Sequence, residues 1–225
     1  GGGVVKLLAA NAELIERRAG RAIRVVAVSA RDRTRDRGFD LSPFAWEDDT
    51  AALARRDDVD VVVELVGGAD GPALTLARGT LAAGRGLVTA NKAMLAHHGL
   101  ELARAAEAAG APLKFEAAVA GGIPVIKALT EGLAGNRMAR VMGVMNGTCN
   151  YILTRMEAEG LSFEDCLADA QRLGYAEADP TFDIEGNDTA HKLSILTSLA
   201  FGTRIAADDI YLEGISNISQ ADIRA

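Results

Sequence analysis

The residues best suited to chemistry lie in one short stretch, Gly174 to Leu196, GYAEADPTFDIEGNDTAHKLSIL. It holds the carboxylates of Glu177, Asp179, Asp183, Glu185 and Asp188, interrupted by Pro180 and Gly186. Ala190, Leu193, Leu196, Leu199 and Ala200 then recur at helical spacing, which predicts a helix from about Asn187. Asp188 and Lys192 are four residues apart and share one face of that helix. An acidic loop leading into an Asp-x-x-x-Lys face suits a small polar substrate that needs a proton delivered. Taken alone, the pair also reads as an ordinary ion pair on a solvated helix start.

The elements that must position these groups belong to a chain of 225 residues, long enough for one large domain or two modest ones. A formal charge of −7 argues against nucleic acid as the main partner, because phosphate binding needs a basic face. No apolar run reaches membrane-spanning length and no signal-peptide pattern opens the chain, so no membrane partner is expected. Cys149 and Cys166 are the two cysteines, which fits a reducing cytoplasm better than a disulfide framework. Gly1-Gly2-Gly3 runs straight into Val4-Val5-Lys6-Leu7-Leu8, and Ser219 would cap a helix at about Ala221 just before Ala225. The sequence therefore reads as a piece of a longer protein, starting within a strand–turn–helix.

In the first half a helical pattern from Gly3 to Arg18 is followed by β-branched runs at Ile23 to Ser29 and Asp60 to Val66. A shorter run covers Leu87 to Thr89, and Leu113 to Val119 makes a fourth. Helical segments alternate with them at Asp48 to Arg56, Pro72 to Ala83 and Ala93 to Ala109. Near-continuous apolar strands alternating with helices predict a parallel sheet covered on both faces, an incomplete Rossmann-type doubly wound α/β domain over residues 1–120. Such sheets bind ligands at the carboxyl ends of their strands.

Those ends carry candidates. Gly1 stands where the last glycine of a Gly-x-Gly-x-x-Gly turn would precede a pyrophosphate-holding helix. Arg31 and Arg33 follow a strand end where basic residues can receive a ribose 2′-phosphate and favour NADP, or form a charged solvent loop. Gly67 and Gly68 would let backbone approach a flat ring closely. Thr89 and Lys92 end the next strand, facing the cofactor crevice. His97 and His98 read as surface residues.

In the second half, Gly121-Gly122-Ile123-Pro124 turns tightly into a helix; carbonyls in such a turn can converge on a hard cation or merely redirect the chain. Strands are predicted at Arg140 to Met145 and Ile210 to Ile218. Asn146 to Asn150 form a turn that caps a helix at Tyr151 to Glu159. Ser162-Phe163-Glu164-Asp165 resembles a capping box for a helix ending at Gly174. Residues 121–225 read as a second, α+β substrate and dimerisation domain.

The motifs Thr89-Ala90-Asn91-Lys92, Gly121-Gly122-Ile123-Pro124, Asn146-Gly147-Thr148-Cys149-Asn150-Tyr151-Ile152-Leu153, Gly174 to Pro180 and Asp183 to Lys192 occur in the order found in homoserine dehydrogenases, which the chain resembles over essentially its whole length. That resemblance implies reversible hydride transfer between NAD(P)H and aspartate 4-semialdehyde, giving L-homoserine for threonine and methionine synthesis. It implies Lys192 as proton donor and acceptor, Asp188 as its support, and Glu177 and Asp183 as holding the substrate's amino group or ordering the site. Lys92 would lie between cofactor and substrate. Backbone carbonyls of Glu116, Val119, Gly121 and Ile123 would bind a sodium ion, and a homodimer would form through the second domain. Another NAD(P)-dependent semialdehyde oxidoreductase and an inactive dimerising fragment are the rival readings.

Overall fold

A computed structural model describes residues 1–224. The chain divides into two compact units, the first comprising Gly1–Met94 and His98–Phe115, the second Leu95–His97 and the residues from Glu116 on.

In the first unit the predicted opening helix is two, α1 (Gly2–Ala10) and α2 (Ala12–Ala19). The break falls at Asn11, whose amide side chain and main-chain N–H both donate to the Leu7 carbonyl; a short polar side chain competing for backbone groups interrupts the helical ladder. Strand β1 (Ala27–Val28) pairs in parallel with β2 (Ala45–Trp46). Only two residues of the predicted Ile23 to Ser29 strand are therefore paired. The predicted helix at 48–56 is a 3₁₀ segment, Thr50–Arg55, started by the Asp49 carboxylate accepting from the Ala51 N–H.

Strand β3 (Val61–Glu64), helix α3 (Pro72–Ala82), strand β4 (Gly86–Thr89), helix α4 (Lys92–Ala109) and strand β5 (Leu113–Lys114) follow, and β3-β4-β5 form a parallel sheet in that order. Helix α3 packs on β3, β4 and the 3₁₀ segment. Leu76, Leu81, Leu87, Met94 and Leu102 are fully buried, each contributing about 1.5–3 kcal/mol by leaving water. Val62 and Glu64 are buried while Val61 and Val63 are exposed, so β3 alternates rather than being covered on both faces.

The fourth predicted strand, 113–119, stops at Lys114. Glu116–Val119 is helix α5 instead, because the Glu116 carboxylate turns to accept the N–H groups of Ile126 and Lys127. Helix α6 (Val125–Lys127) leads into a π-helical turn, Ala128–Gly132.

The rest of the second unit is helical: α7 (Gly147–Glu159), α8 (Phe163–Leu173), α9 (Thr181–Ile184), α10 (Asn187–Phe201) and α11 (Gln220–Arg224), with a 3₁₀ turn at Ala207–Asp209. Ser162 caps α8, as the sequence predicts; α7 starts four residues before the predicted Tyr151, because Asn146 alone caps it and residues 147–150 of the predicted turn form its first turn. At Ser162 the box is half formed: its hydroxyl accepts from the Asp165 N–H, but the Asp165 carboxylate receives the Ser162 hydroxyl rather than its amide. Helices α7 and α8 enclose a core of Ile152, Met156, Cys166, Ala170 and Ala176. Gln220 donates to the Met156 carbonyl in the last turn of α7 and to the Leu161 carbonyl just past it.

The strands predicted at Arg140 to Met145 and Ile210 to Ile218 are not formed, and among the described residues the second unit holds no strand. The α+β expectation for it holds only for its helices. Both segments have the apolar composition of strands, but a ladder needs a second backbone, and here their side chains face outward: Met142 is 77%, Val144 79% and Tyr211 85% exposed.

Candidate active site

Helix α10 starts after Gly186, which takes φ +84°, a conformation costly for a residue with a Cβ. That abrupt start puts Asp188 in the first turn, where the positive end of the helix favours an acid. Lys192 lies one turn on, its Nζ 2.7 Å from Asp188 Oδ2, with side-chain exposures of 17% and 3%. Lys192 Nζ also donates to the Met145 carbonyl at 2.7 Å. An ammonium has three hydrogens, so one is left for a substrate oxygen.

Asp183, on α9, joins the same cluster. Asn146 Nδ2 donates to Asp183 Oδ1 and to Asp188 Oδ2, both at 2.9 Å. The Thr148 hydroxyl lies 3.1 Å from Asp183 Oδ2 and 2.7 Å from the Tyr175 carbonyl. Cys149 adjoins both acids, and its thiol is pushed up to about 11, first by burial and then by the negative charges of Asp183 and Asp188. A thiol held protonated is a poor nucleophile. Two carboxylates against one ammonium leave the site negative, which suits a cationic substrate.

The five acids of the stretch thus separate. Asp183 and Asp188 meet at Asn146, and Asp188 also holds Lys192; Asp179 accepts from the Thr181 N–H; Glu185 accepts from the Ser216 hydroxyl. Glu177 is exposed, on a loop tied by Gln171 to the carbonyls of Glu177 and Ala178. Asp183 also borders a cavity of about 220 Å³ whose other walls include Ile184, Leu193, Ile210 and Leu212. Lys192 is not one of them.

In the first unit the carboxyl ends of β3 and β4 form a second polar cluster. Glu64 and Thr89 face each other in register. The buried Glu64 carboxylate accepts the N–H groups of Val66 (2.7 Å) and Gly67 (3.1 Å) and the Thr89 hydroxyl. Thr89 Oγ1 accepts in turn from the Asn91 N–H, and Asn91 Nδ2 donates to the Gly68 carbonyl at 2.7 Å while its Oδ1 caps α4. This network holds Gly67 and Gly68 exposed at φ +85°, with no atom within 4 Å of where a Gly67 Cβ would stand. That open backbone fits close approach by a flat ring. Lys92 opens α4 directly after Asn91.

Gly1 precedes α1, which has no side-chain cap to compete for its first N–H groups. Arg31 is exposed; Arg33 and Arg37 stack at 5.6 and 5.7 Å from the Trp46 ring centre. Between Arg31 and Arg33, Asp32 is held below the usual carboxylate range by the hydroxyl and N–H of Thr34. Around Gly122 (φ +82°), the Glu116 carbonyl accepts from Ala120 and the Ile123 carbonyl from Val125, so each keeps one lone pair. Among the described residues no three His, Cys, Asp or Glu side chains are grouped to hold a metal, and no helix is long and apolar enough to cross a membrane.

Glu64, Asn91, Asn146 and Thr148 were not singled out as site residues from sequence. Their one local signal is a polar residue at the end of a strand or the start of a helix; their partners lie 23 to 42 residues away.

The family model for the NAD-binding domain of homoserine dehydrogenase matches residues 1–116, and that for homoserine dehydrogenase matches residues 124–225. A homoserine dehydrogenase of Corynebacterium glutamicum is 49% identical over 99% of this chain and 49% of its own length. The crystal structure of a homoserine dehydrogenase from Thiobacillus denitrificans superposes with a TM-score of 0.93 at 48% identity, covering all of this chain and 52% of that one. A hyperthermophilic archaeal homoserine dehydrogenase in complex with NADPH shares the fold, with a TM-score of 0.78 at 24% identity over 93% of this chain and 70% of that one. The chain spans about half the length of the curated relatives it matches. With both of its units matched in order, this chain belongs to the homoserine dehydrogenase family.

Proposed function

We propose that the chain carries the cofactor-binding and proton-transfer parts of an NAD(P)-dependent oxidoreductase that interconverts L-homoserine and L-aspartate 4-semialdehyde in threonine and methionine synthesis. The observation that carries this reading is the half-buried Lys192 ammonium, held by Asp188 and the Met145 carbonyl with a third hydrogen to give. A bound nicotinamide supplies or accepts the hydride. As hydride reaches the aldehyde carbon, Lys192 Nζ gives a proton to the developing alkoxide; in the reverse direction neutral Lys192 takes the hydroxyl proton. Asp188 orients Lys192, Asp183 and Glu177 attract the α-ammonium of the substrate, and Lys92 is the second cationic candidate, on the cofactor side.

The residues present fit a dinucleotide: the open Gly67-Gly68 backbone for a ring, Gly1 and the uncapped start of α1 for a pyrophosphate, and Thr89 bracing the loop. NADP is favoured over NAD, because Arg31 and Arg33 follow β1 while the nearby acid, Asp32, is engaged by Thr34. The neutral carbonyls of Glu116, Val119, Gly121 and Ile123 have the donor chemistry for a sodium ion, which would brace their turn. A homodimer through the second unit is supported by the exposed Met142, Val144 and Tyr211, and a cytoplasmic setting by two unbonded cysteines.

The test is fluorescence titration with NADPH and NADH, then homoserine oxidation with NADP and NAD, on this chain and on a full-length enzyme carrying it. Homoserine-dependent NADPH formation by the full-length enzyme is expected. Its absence would leave a dimerising role and overturn the catalytic reading.

A further inference from the structure

The two ends of the Asn146 side chain do different work. Oδ1 accepts the Cys149 N–H at 2.8 Å and so caps α7. That bond settles which end of the amide is oxygen, and the two hydrogens of Nδ2 go one each to Asp183 Oδ1 and Asp188 Oδ2. Asp188 Oδ2 is the same oxygen that receives Lys192 Nζ, and the residue before Asn146 supplies the carbonyl that receives Lys192 a second time. Two carboxylates close together repel, and a neutral donor shared between them offsets that repulsion without adding a charge. Residues 145 and 146 therefore touch Lys192 twice, once directly and once through Asp188.

We infer that Asn146 is a positioning residue for proton transfer, its amide holding Asp183 and Asp188 in place so that Asp188 Oδ2 fixes the Lys192 ammonium. The inference rests on Lys192 being the proton donor and acceptor. A helix cap alone would need only the acceptor end of the side chain, and serine or aspartate caps as well as asparagine. Neither offers two N–H donors.

Asn146→Ser and Asn146→Asp therefore separate the two roles, in the full-length enzyme with rates referred to the folded fraction. Asn146→Ser is expected to melt within about 4 °C of wild type, whereas Asn146→Asp, which sets a third carboxylate beside Asp183 and Asp188, is expected to melt lower. Both should lose kcat for homoserine oxidation by roughly 10- to 100-fold, the scale of a lost hydrogen bond to a charged group, with a smaller change in KM. Wild-type kcat in both variants, or a raised KM with kcat unchanged, would overturn the inference and leave Asn146 a cap. Lys192→Ala, measured alongside, keeps the two readings apart. If it abolishes activity while Asn146→Ser and Asn146→Asp behave as wild type, only the role of Asn146 falls. If Lys192→Ala is itself fully active, the proton-transfer site falls and Asn146 with it.

Discussion

Glu64 at the end of β3 and Asp188 in the first turn of α10 are the two charged residues that the described chain buries most completely. Each would be costly to bury alone. Glu64 is satisfied by neutral donors, two main-chain N–H groups and the Thr89 hydroxyl, and its effect is to shape the Gly67-Gly68 loop. Asp188 is satisfied by an ammonium and an amide. Neutral donors build a shape and leave no proton to trade, whereas a lysine partner brings one. A buried carboxylate thus braces a loop in one unit and, on the proposed function, aims a proton donor in the other, and the partner decides which.

Breaking the Asp188 cluster should show the larger effect. Asp188→Asn keeps the shape but removes the charge that aims Lys192, and kcat should fall by about 10²-fold or more. If kcat held while only the melting temperature dropped, Asp188 would be architectural, as Glu64 is. Cys149 reports on the same cluster from within. With its thiol near 11 it should react with iodoacetamide at pH 8 about 100-fold more slowly than an ordinary cysteine, and Asp183→Asn should speed the reaction. The sign for stability follows: the native thiol holds its proton more tightly, so its contribution is intact below pH 9.0 and is lost as pH rises towards about 11.

Glu64→Gln tests the other side of the contrast. It should lower stability by about 1.5–3 kcal/mol and raise the KM for cofactor, with kcat falling less than in Asp188→Asn. An equal fall in kcat would erase the distinction. The smallest effect belongs to Glu177→Gln. Its side chain is exposed, so the KM for homoserine should rise roughly fivefold or less, the scale of an exposed ion pair. A change in cofactor affinity alone would remove it from substrate recognition.

How much of this was legible in the sequence depended on distance along the chain. Asp188 and Lys192 are four apart, and helical periodicity sufficed to put them on one face. The cap at Ser162 and the parallel pairing of β3, β4 and β5 were likewise readable from local pattern. Glu64 was not, because only the register of β3 on β4 brings Thr89 opposite it. Asn146 read only as part of a turn before a helix, since Asp183 and Asp188 stand 37 and 42 residues away. The strands predicted at 140–145 and 210–218 failed for a related reason: apolar β-branched composition marks a segment fit for a sheet, and it does not supply the neighbouring backbone.

The central claim is that Lys192 moves the proton, and its most direct test is Lys192→Ala in the full-length enzyme with small amines added. We predict a fall in kcat of roughly 10²- to 10⁴-fold, partly restored as methylamine or ethylamine concentration rises, because a free amine can occupy the space and carry the proton. Near-wild-type kcat without any amine would contradict it.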